Sequence, residues 1–213
     1  QRSSLTHKSA VSITLCNQEG IKPDYIIGHS AGTAVALEMS KTRTLKGIIG
    51  LNSALSKFGG IASWAFPMLA KVITLNPFIP GYLASLGGNP NRVKKLLNNT
   101  GSSLSEAQIN FYKALFKDKS HVEGALLMMS QWNLDRLLLR LSELQTATLL
   151  IAGDQDKTVL PEIASQMAHA LPQGEFRILK NLGHLAHEED AEQIFEVITA
   201  FIARRENFPP SDT

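Results

Sequence analysis

The sequence predicts an α/β fold: a mostly parallel sheet with helices on both faces and a helical insertion between two of its strands. Three observations lead there. Short apolar runs alternate with longer segments of helical periodicity, the pattern of strand–helix–strand units. The runs are apolar without polar alternation, as strands buried on both faces require. Between Ser53 and Gln145 the alternation stops, and helical periodicity is broken by Gly59-Gly60, Pro67, Pro77, Pro80-Gly81, Gly87-Gly88, Pro90 and Gly101.

Taken in order, Leu5 to Gln18 reads as a helix carrying Leu5, Ala10, Ile13 and Leu15, ended by Gly20. Tyr25-Ile26-Ile27 is the first strand and runs into Gly28-His29-Ser30-Ala31-Gly32. The Ala-rich stretch from Thr33 to Met39 is the helix after it. Leu45 to Leu51 is the second strand. After the insertion come Thr148 to Ile151 as the third strand, Pro161 to Leu171 as a helix, and Glu175 to Leu179 as the fourth strand. Glu188 to Arg204 forms the last helix, with Glu188-Glu189-Asp190 in its first turn and Arg204-Arg205 at its end, both suited to the helix dipole. This divides the chain into partial core (1–52), helical lid (53–145), core (146–206) and a frayed tail (207–213).

Composition narrows the function classes. The chain has 213 residues, 44% hydrophobic and 19% charged, which excludes a disordered or fibrous protein. With 21 Lys+Arg against 19 Asp+Glu the net charge is +2, giving no sign of a nucleic-acid partner. The single cysteine, Cys16, excludes an internal disulfide framework and multi-cysteine metal sites; it reads as a small buried side chain. No run reaches the ~18 consecutive apolar residues of a membrane span. The first twenty residues carry Arg2, His7, Lys8 and Glu19 and no long apolar core, so they do not read as a signal peptide, and a cytoplasmic protein is expected.

The chemistry concentrates in three loops. Gly28-x-Ser30-x-Gly32 follows a strand and precedes a helix, the setting in which a sharp turn projects a serine hydroxyl above a sheet edge. Small flanking residues let the backbone cross closely, and the Ala31 N–H at the helix start is placed to stabilise an oxyanion. After the third strand, Ala152-Gly153-Asp154-Gln155-Asp156 offers two carboxylates. Asp154 suits the turn itself or Lys157; Asp156, further from the strand end, is favoured as the acid that orients a histidine. After the fourth strand, Gly183-His184 offers a general base, with His187 nearby at a helix start. The order Ser, Asp, His is that of a nucleophilic triad. His184 and His187 have no third plausible ligand near them, so no metal or organic cofactor is expected. His29 is expected to pack beneath the elbow, and His7, His121 and His169 to be surface or packing residues. In the insertion, Trp64, Phe66, Met128, Met129 and Trp132 are candidates for facing the serine, which suits a bulky apolar substrate.

Gly28-His29-Ser30-Ala31-Gly32 with Asp156 and Gly183-His184 resembles the α/β-hydrolase superfamily. The likeness extends into the insertion. Gly50-Leu51-Asn52-Ser53-Ala54-Leu55, Thr100-Gly101-Ser102, His121-Val122-Glu123-Gly124 and Gly183 to Glu189 resemble the magnesium-chelatase accessory proteins of bacteriochlorophyll biosynthesis. The resemblance implies a hydrolase near the magnesium-insertion step, with a small apolar ester or tetrapyrrole as substrate and magnesium-chelatase subunits as partners. The alternatives to it are a non-catalytic tetrapyrrole-binding accessory role and a generic carboxylesterase. Members of the superfamily place several strands, and the loop giving the second oxyanion N–H, before the elbow. Here the first strand begins by Tyr25, so the early strands are expected to be missing and the elbow strand to have an open edge. These 213 residues in isolation are then expected to aggregate or to lack esterase activity.

Overall fold

The computed structural model describes residues 4–56 and 89–207. Among the described residues four parallel strands form one sheet: β1 (Tyr25–His29), β2 (Gly47–Leu51), β3 (Thr148–Gly153) and β4 (Gly174–Leu179), neighbours in that order. Helix α1 (Leu5–Gln18) packs on α2 (Ala31–Met39), the crossover from β1 to β2. The insertion contributes α3 (Pro90–Asn98), α4 (Glu106–Lys117), α5 (Lys119–Ser130) and the short α6 (Asp135–Leu138). Then α7 (Glu162–Ala170) links β3 to β4, and α8 (Ala186–Glu189) and α9 (Ala191–Asn207) end the described chain.

The unalternating strand sequences are explained by what covers each face. On β2 and β3, Ile48, Leu150 and Ala152 point to one side, where α1, α2, α7 and the segment around Leu134–Leu144 meet them. Ile49, Leu51, Leu149 and Ile151 point to the other, against Ile194, Ile198 and Phe201 of α9. Burying a side chain of this size contributes roughly 1.5–3 kcal/mol, so the central pair β2–β3 anchors the molecule. The edge strand β1 departs from two-sided burial: Tyr25 packs against the α9 side, but Ile27 on the same face is exposed.

The inserted helices start where their sequences supply caps. Asn89 precedes Pro90 and accepts from the N–H groups of Asn91 and Arg92; Ser105 and Gln108 form a reciprocal capping box; Asp118 caps α5. Val93, Leu97 and Ile109 from α3 and α4 form a small core with Leu185, the residue after His184. The inserted helices are thereby packed onto the histidine loop.

One expected element is divided. The final helix does not run from Glu188 to Arg204: Asp190, with φ −145 and ψ 82, separates α8 from α9. Its carboxylate accepts from the Gln193 N–H and so caps α9. Glu188 and Glu189 lie instead in the short α8, and their carboxylates reach Tyr112 and Ser103 of the insertion. The basic end stands in the last turn of α9 as expected, and Arg204 and Arg205 there also bind Glu175 of β4. Cys16, expected to be buried, is half-buried.

The register His29↔Leu51↔Ile151 carries the C-terminal strand ends of β1, β2 and β3 to one edge of the sheet, and β4 ends beside them with Gly153↔Leu179. In an open parallel sheet, that edge is where sites form.

Candidate active site

The turn between β1 and α2 is held from both sides. Ser30 has φ 51 and ψ −114, a region that non-glycine residues occupy only when neighbours enforce it. Its N–H donates to the Leu51 carbonyl at 2.8 Å, and its own carbonyl accepts from Ala54 N–H at 3.1 Å. Behind it, the Thr33 hydroxyl donates to the Gly28 carbonyl and accepts from Ser53, both at 2.9 Å. A Cβ on Gly28 would lie 2.5 Å from backbone atoms of Gly32 and Thr33, so only glycine fits there. Ser30 and Ala31 are half-buried at the head of α2, where helical N–H groups lack partners within the helix.

The loops after β3 and β4 meet at a buried pair. His184 Nδ1 donates to Asp156 Oδ2 at 2.8 Å, with the two residues 7% and 3% exposed. An ionised carboxylate only accepts, so the proton sits on Nδ1 and Nε2 is left as the basic nitrogen. Asp156 Oδ1 accepts from the N–H groups of Thr158 and Val159 at 2.8 and 2.9 Å, and Oδ2 also accepts from Asn52. Burial pushes the Asp156 carboxyl up, but the hydrogen bonds from His184, Val159 and Asn52 and the adjacent imidazole outweigh it and hold the carboxyl below its usual range. Asp154 is used elsewhere: it accepts from Asn181 N–H at 2.7 Å and faces Lys180, not Lys157.

The histidine loop is pressed against the elbow by His29. Its Nε2 donates to the His184 carbonyl at 2.9 Å, and its ring lies between those of His184 and His187, with centroids 4.9 and 4.5 Å away. Burial lowers the His29 pKa to about 4, and burial likewise lowers that of His187, so both are neutral at pH 7. Neutral rings can stack beside a third imidazole without a permanent like charge.

A segment of the insertion closes the other side. The Thr100 carbonyl accepts from Lys157 N–H at 3.1 Å and His184 N–H at 3.4 Å, one from each functional loop. Ser102 Oγ accepts from Leu185 N–H at 2.8 Å. Glu189 spans the junction, taking Gly183 N–H on Oε1 at 2.8 Å and Ser103 N–H on Oε2 at 2.9 Å. Tyr112 of α4 donates to Glu188, and Gln108 to the Glu188 carbonyl. Burial and the Glu188 carboxylate together raise the Tyr112 pKa strongly, so it stays a donor.

Of the residues the sequence proposed, Ser30, Ala31, Asp156 and His184 lie at the same sheet edge. In the insertion, Met128 is half-buried, Met129 is exposed, and Trp132 packs against the core on the α1–α2 side of the sheet. Trp64 and Phe66 lie outside the described residues. Sequence reasoning did not give Asn52, Thr33, Ser53, Thr100, Ser102 or Glu189 a task at the site. A signal was available for Asn52: a polar pair, Asn52-Ser53, directly follows an apolar buried strand at the edge where sites form. Among the described residues no group of three His, Cys, Asp or Glu side chains could hold a metal ion, and no helix is long and apolar enough to cross a membrane.

A family model described as the alpha/beta hydrolase family matches residues 5–197. The chain belongs to the alpha/beta hydrolase family. Within it, the magnesium-chelatase 30 kDa subunit of Rhodobacter capsulatus is 35% identical over 184 residues, 86% of this chain and 64% of that protein. The sn-1-specific diacylglycerol lipase ABHD11 of Mus musculus is 24% identical over 205 residues, 89% of this chain and 62% of the mouse protein. The chain therefore spans a little under two thirds of the length of either relative. Among solved structures, a putative lipase from Acinetobacter baumannii superposes with a TM-score of 0.73 at 17% identity, covering 96% of this chain and 69% of that one. That likeness bears on the fold, and it agrees with a hydrolase sheet flanked by helices.

Proposed function

We propose that the protein is a serine hydrolase acting on an ester or similar acyl bond of an apolar substrate. Ser30 is the nucleophile, His184 the general base, Asp156 the residue that orients it, and Ala31 N–H one donor of the oxyanion hole. The observation that carries this reading is the buried 2.8 Å bond from His184 Nδ1 to Asp156 Oδ2, in a loop packed against the serine turn. The mechanism follows from the chemistry of each group. His184 Nε2 takes the Ser30 proton as Oγ attacks the acyl carbon, and the carbonyl π electrons move onto oxygen. Ala31 N–H, at the positive end of α2, faces the developing oxyanion. The imidazolium, stabilised by Asp156, then protonates the leaving group. Water, deprotonated by the same base, attacks the acyl carbon, and as the bond from that carbon to Oγ breaks His184 returns the proton to Ser30.

On this reading the insertion of residues 53–145 carries a lid, and Trp64, Phe66, Met128 and Met129 are the candidates within it for contacting substrate, whereas Trp132 packs into the core beneath the sheet. Similarity to a magnesium-chelatase subunit supports a substrate or partner associated with magnesium-porphyrin chemistry. The same similarity favours a second reading, a tetrapyrrole-binding accessory protein without turnover. Similarity to lipases keeps a general carboxylesterase role as the broader form of the first.

The deciding experiment is labelling by a fluorophosphonate probe, using protein purified as the cell makes it. Ser30-dependent labelling, abolished in Ser30→Ala, is expected. Its absence, with porphyrin binding equal in wild type and Ser30→Ala, would establish the accessory reading instead.

A further inference from the structure

We propose that Asn52 is a positioning residue that locks the acid and base loops together behind the His184–Asp156 pair. The inference rests on the reading of those two residues as base and acid. Asn52 directly follows β2 and is 1% exposed. Its φ of 47 lies in the left-handed region, where asparagine is among the few side chains tolerated. Its Nδ2 lies 2.9 Å from Asp156 Oδ2 and 3.1 Å from the Gly183 carbonyl. Both partners are acceptors, so the nitrogen must face them and both of its hydrogens are used.

The two bonds fall at decisive places. Asp156 Oδ2 is the oxygen that receives His184 Nδ1–H, and Gly183 immediately precedes His184. One amide therefore sets the carboxylate plane and the start of the histidine loop together. The arrangement has a cost, because Asn52 Oδ1 is buried without a hydrogen-bond partner among the described residues. Glycine would satisfy the backbone and avoid that cost. What glycine could not do is donate to the acid and the base loop at once.

The prediction is tested with two variants. Asn52→Gly keeps the backbone accessible and removes the amide. Labelling by a fluorophosphonate is expected to slow roughly 10- to 100-fold, as for other small misplacements of catalytic groups. With a short-chain p-nitrophenyl ester, kcat is expected to fall by that factor while KM changes less than twofold. Asn52→Asp is nearly isosteric but sets a carboxylate against a carboxylate. Its labelling rate relative to wild type is expected to recover several-fold between pH 8 and pH 5.5, as the shared site takes up a proton and a donor reappears. His29 and His187 also titrate beside this site, so the rate is read as the ratio of variant to wild type at each pH. A wild-type labelling rate in Asn52→Gly, or a ratio flat with pH in Asn52→Asp, would overturn the proposal. If the wild type itself shows no Ser30-dependent labelling, the hydrolase reading fails, and the downfield proton resonance of His184 Nδ1–H decides the positioning role separately. Loss of that resonance in Asn52→Gly upholds it, and an unchanged resonance refutes it.

Discussion

Ser30 holds φ 51 and ψ −114 because its N–H is tied to Leu51, its carbonyl to Ala54, and the strand before it to Thr33. Such a conformation costs of order 1–3 kcal/mol, which the surrounding contacts must offset. The two glycines of the motif do not share this work. At Gly28 an added methyl would collide with backbone that cannot move without opening the turn, whereas at Gly32 it would meet nothing within 4 Å. Gly28→Ala is therefore expected to lose about 1–3 kcal/mol, the range for overpacking. Gly32→Ala, inside α2, should gain up to about 1 kcal/mol from helix propensity. Urea unfolding of the two variants separates them, and equal losses would refute the steric account of the turn.

At the scale of elements, the loops that carry Asp156 and His184 are joined by the insertion as well as by the sheet edge. Thr100, Ser102 and Glu189 connect α3 and α4 to the loops that carry Asp156 and His184. Gly183 lies so close to this segment that a Cβ would sit 2.3 Å from the Gly101 carbonyl carbon. In Glu189→Gln only one of the two N–H groups keeps an acceptor. A hydrogen bond to a charged group is worth about 1.5–3 kcal/mol, so a loss near that size is expected, with faster amide exchange at Gly183 or Ser103. Unchanged protection at both amides would show that Glu189 does not hold the loop. This junction also marks where sequence reading stopped. The four strands, α1 and the convergence of the candidate Ser, Asp and His on one sheet edge were legible because apolar runs and a glycine-framed serine are local patterns. The bonds of Glu189 span 6 residues to Gly183 and 86 to Ser103, and those of Asn52 to Asp156 and Gly183 span 104 and 131. No local pattern carries pairings that only the folded sheet edge creates. The division of the last helix at Asp190 was hidden for the related reason that its acidic run suits a helix start equally well.

For the whole molecule, His29 and His187, packed between the serine turn and the histidine loop, make stability depend on pH in a defined direction. His29 has a pKa of about 4 in the folded chain against 6.5 when unfolded, so between these values the unfolded chain binds more protons. Stability is then fully present above pH 6.5 and falls as the pH drops toward 4. At about 1.4 kcal/mol per pH unit the loss from His29 approaches roughly 3 kcal/mol. His187, also lowered, adds to the same limb. Asp156 acts in a separate window: its folded pKa lies below the unfolded 3.8, so its contribution persists through the histidine window and is lost only on further acidification. Urea unfolding at intervals from pH 7 to pH 4 should show the first limb, and His29→Gln, which keeps a donor for the His184 carbonyl but cannot titrate, should flatten it. A wild-type slope in His29→Gln would mean that the elbow histidine is not the group taking up the proton. A flattened slope would tie acid destabilisation to the histidine beside Ser30, because its burial disfavours the charged ring more than its bond to the His184 carbonyl favours it.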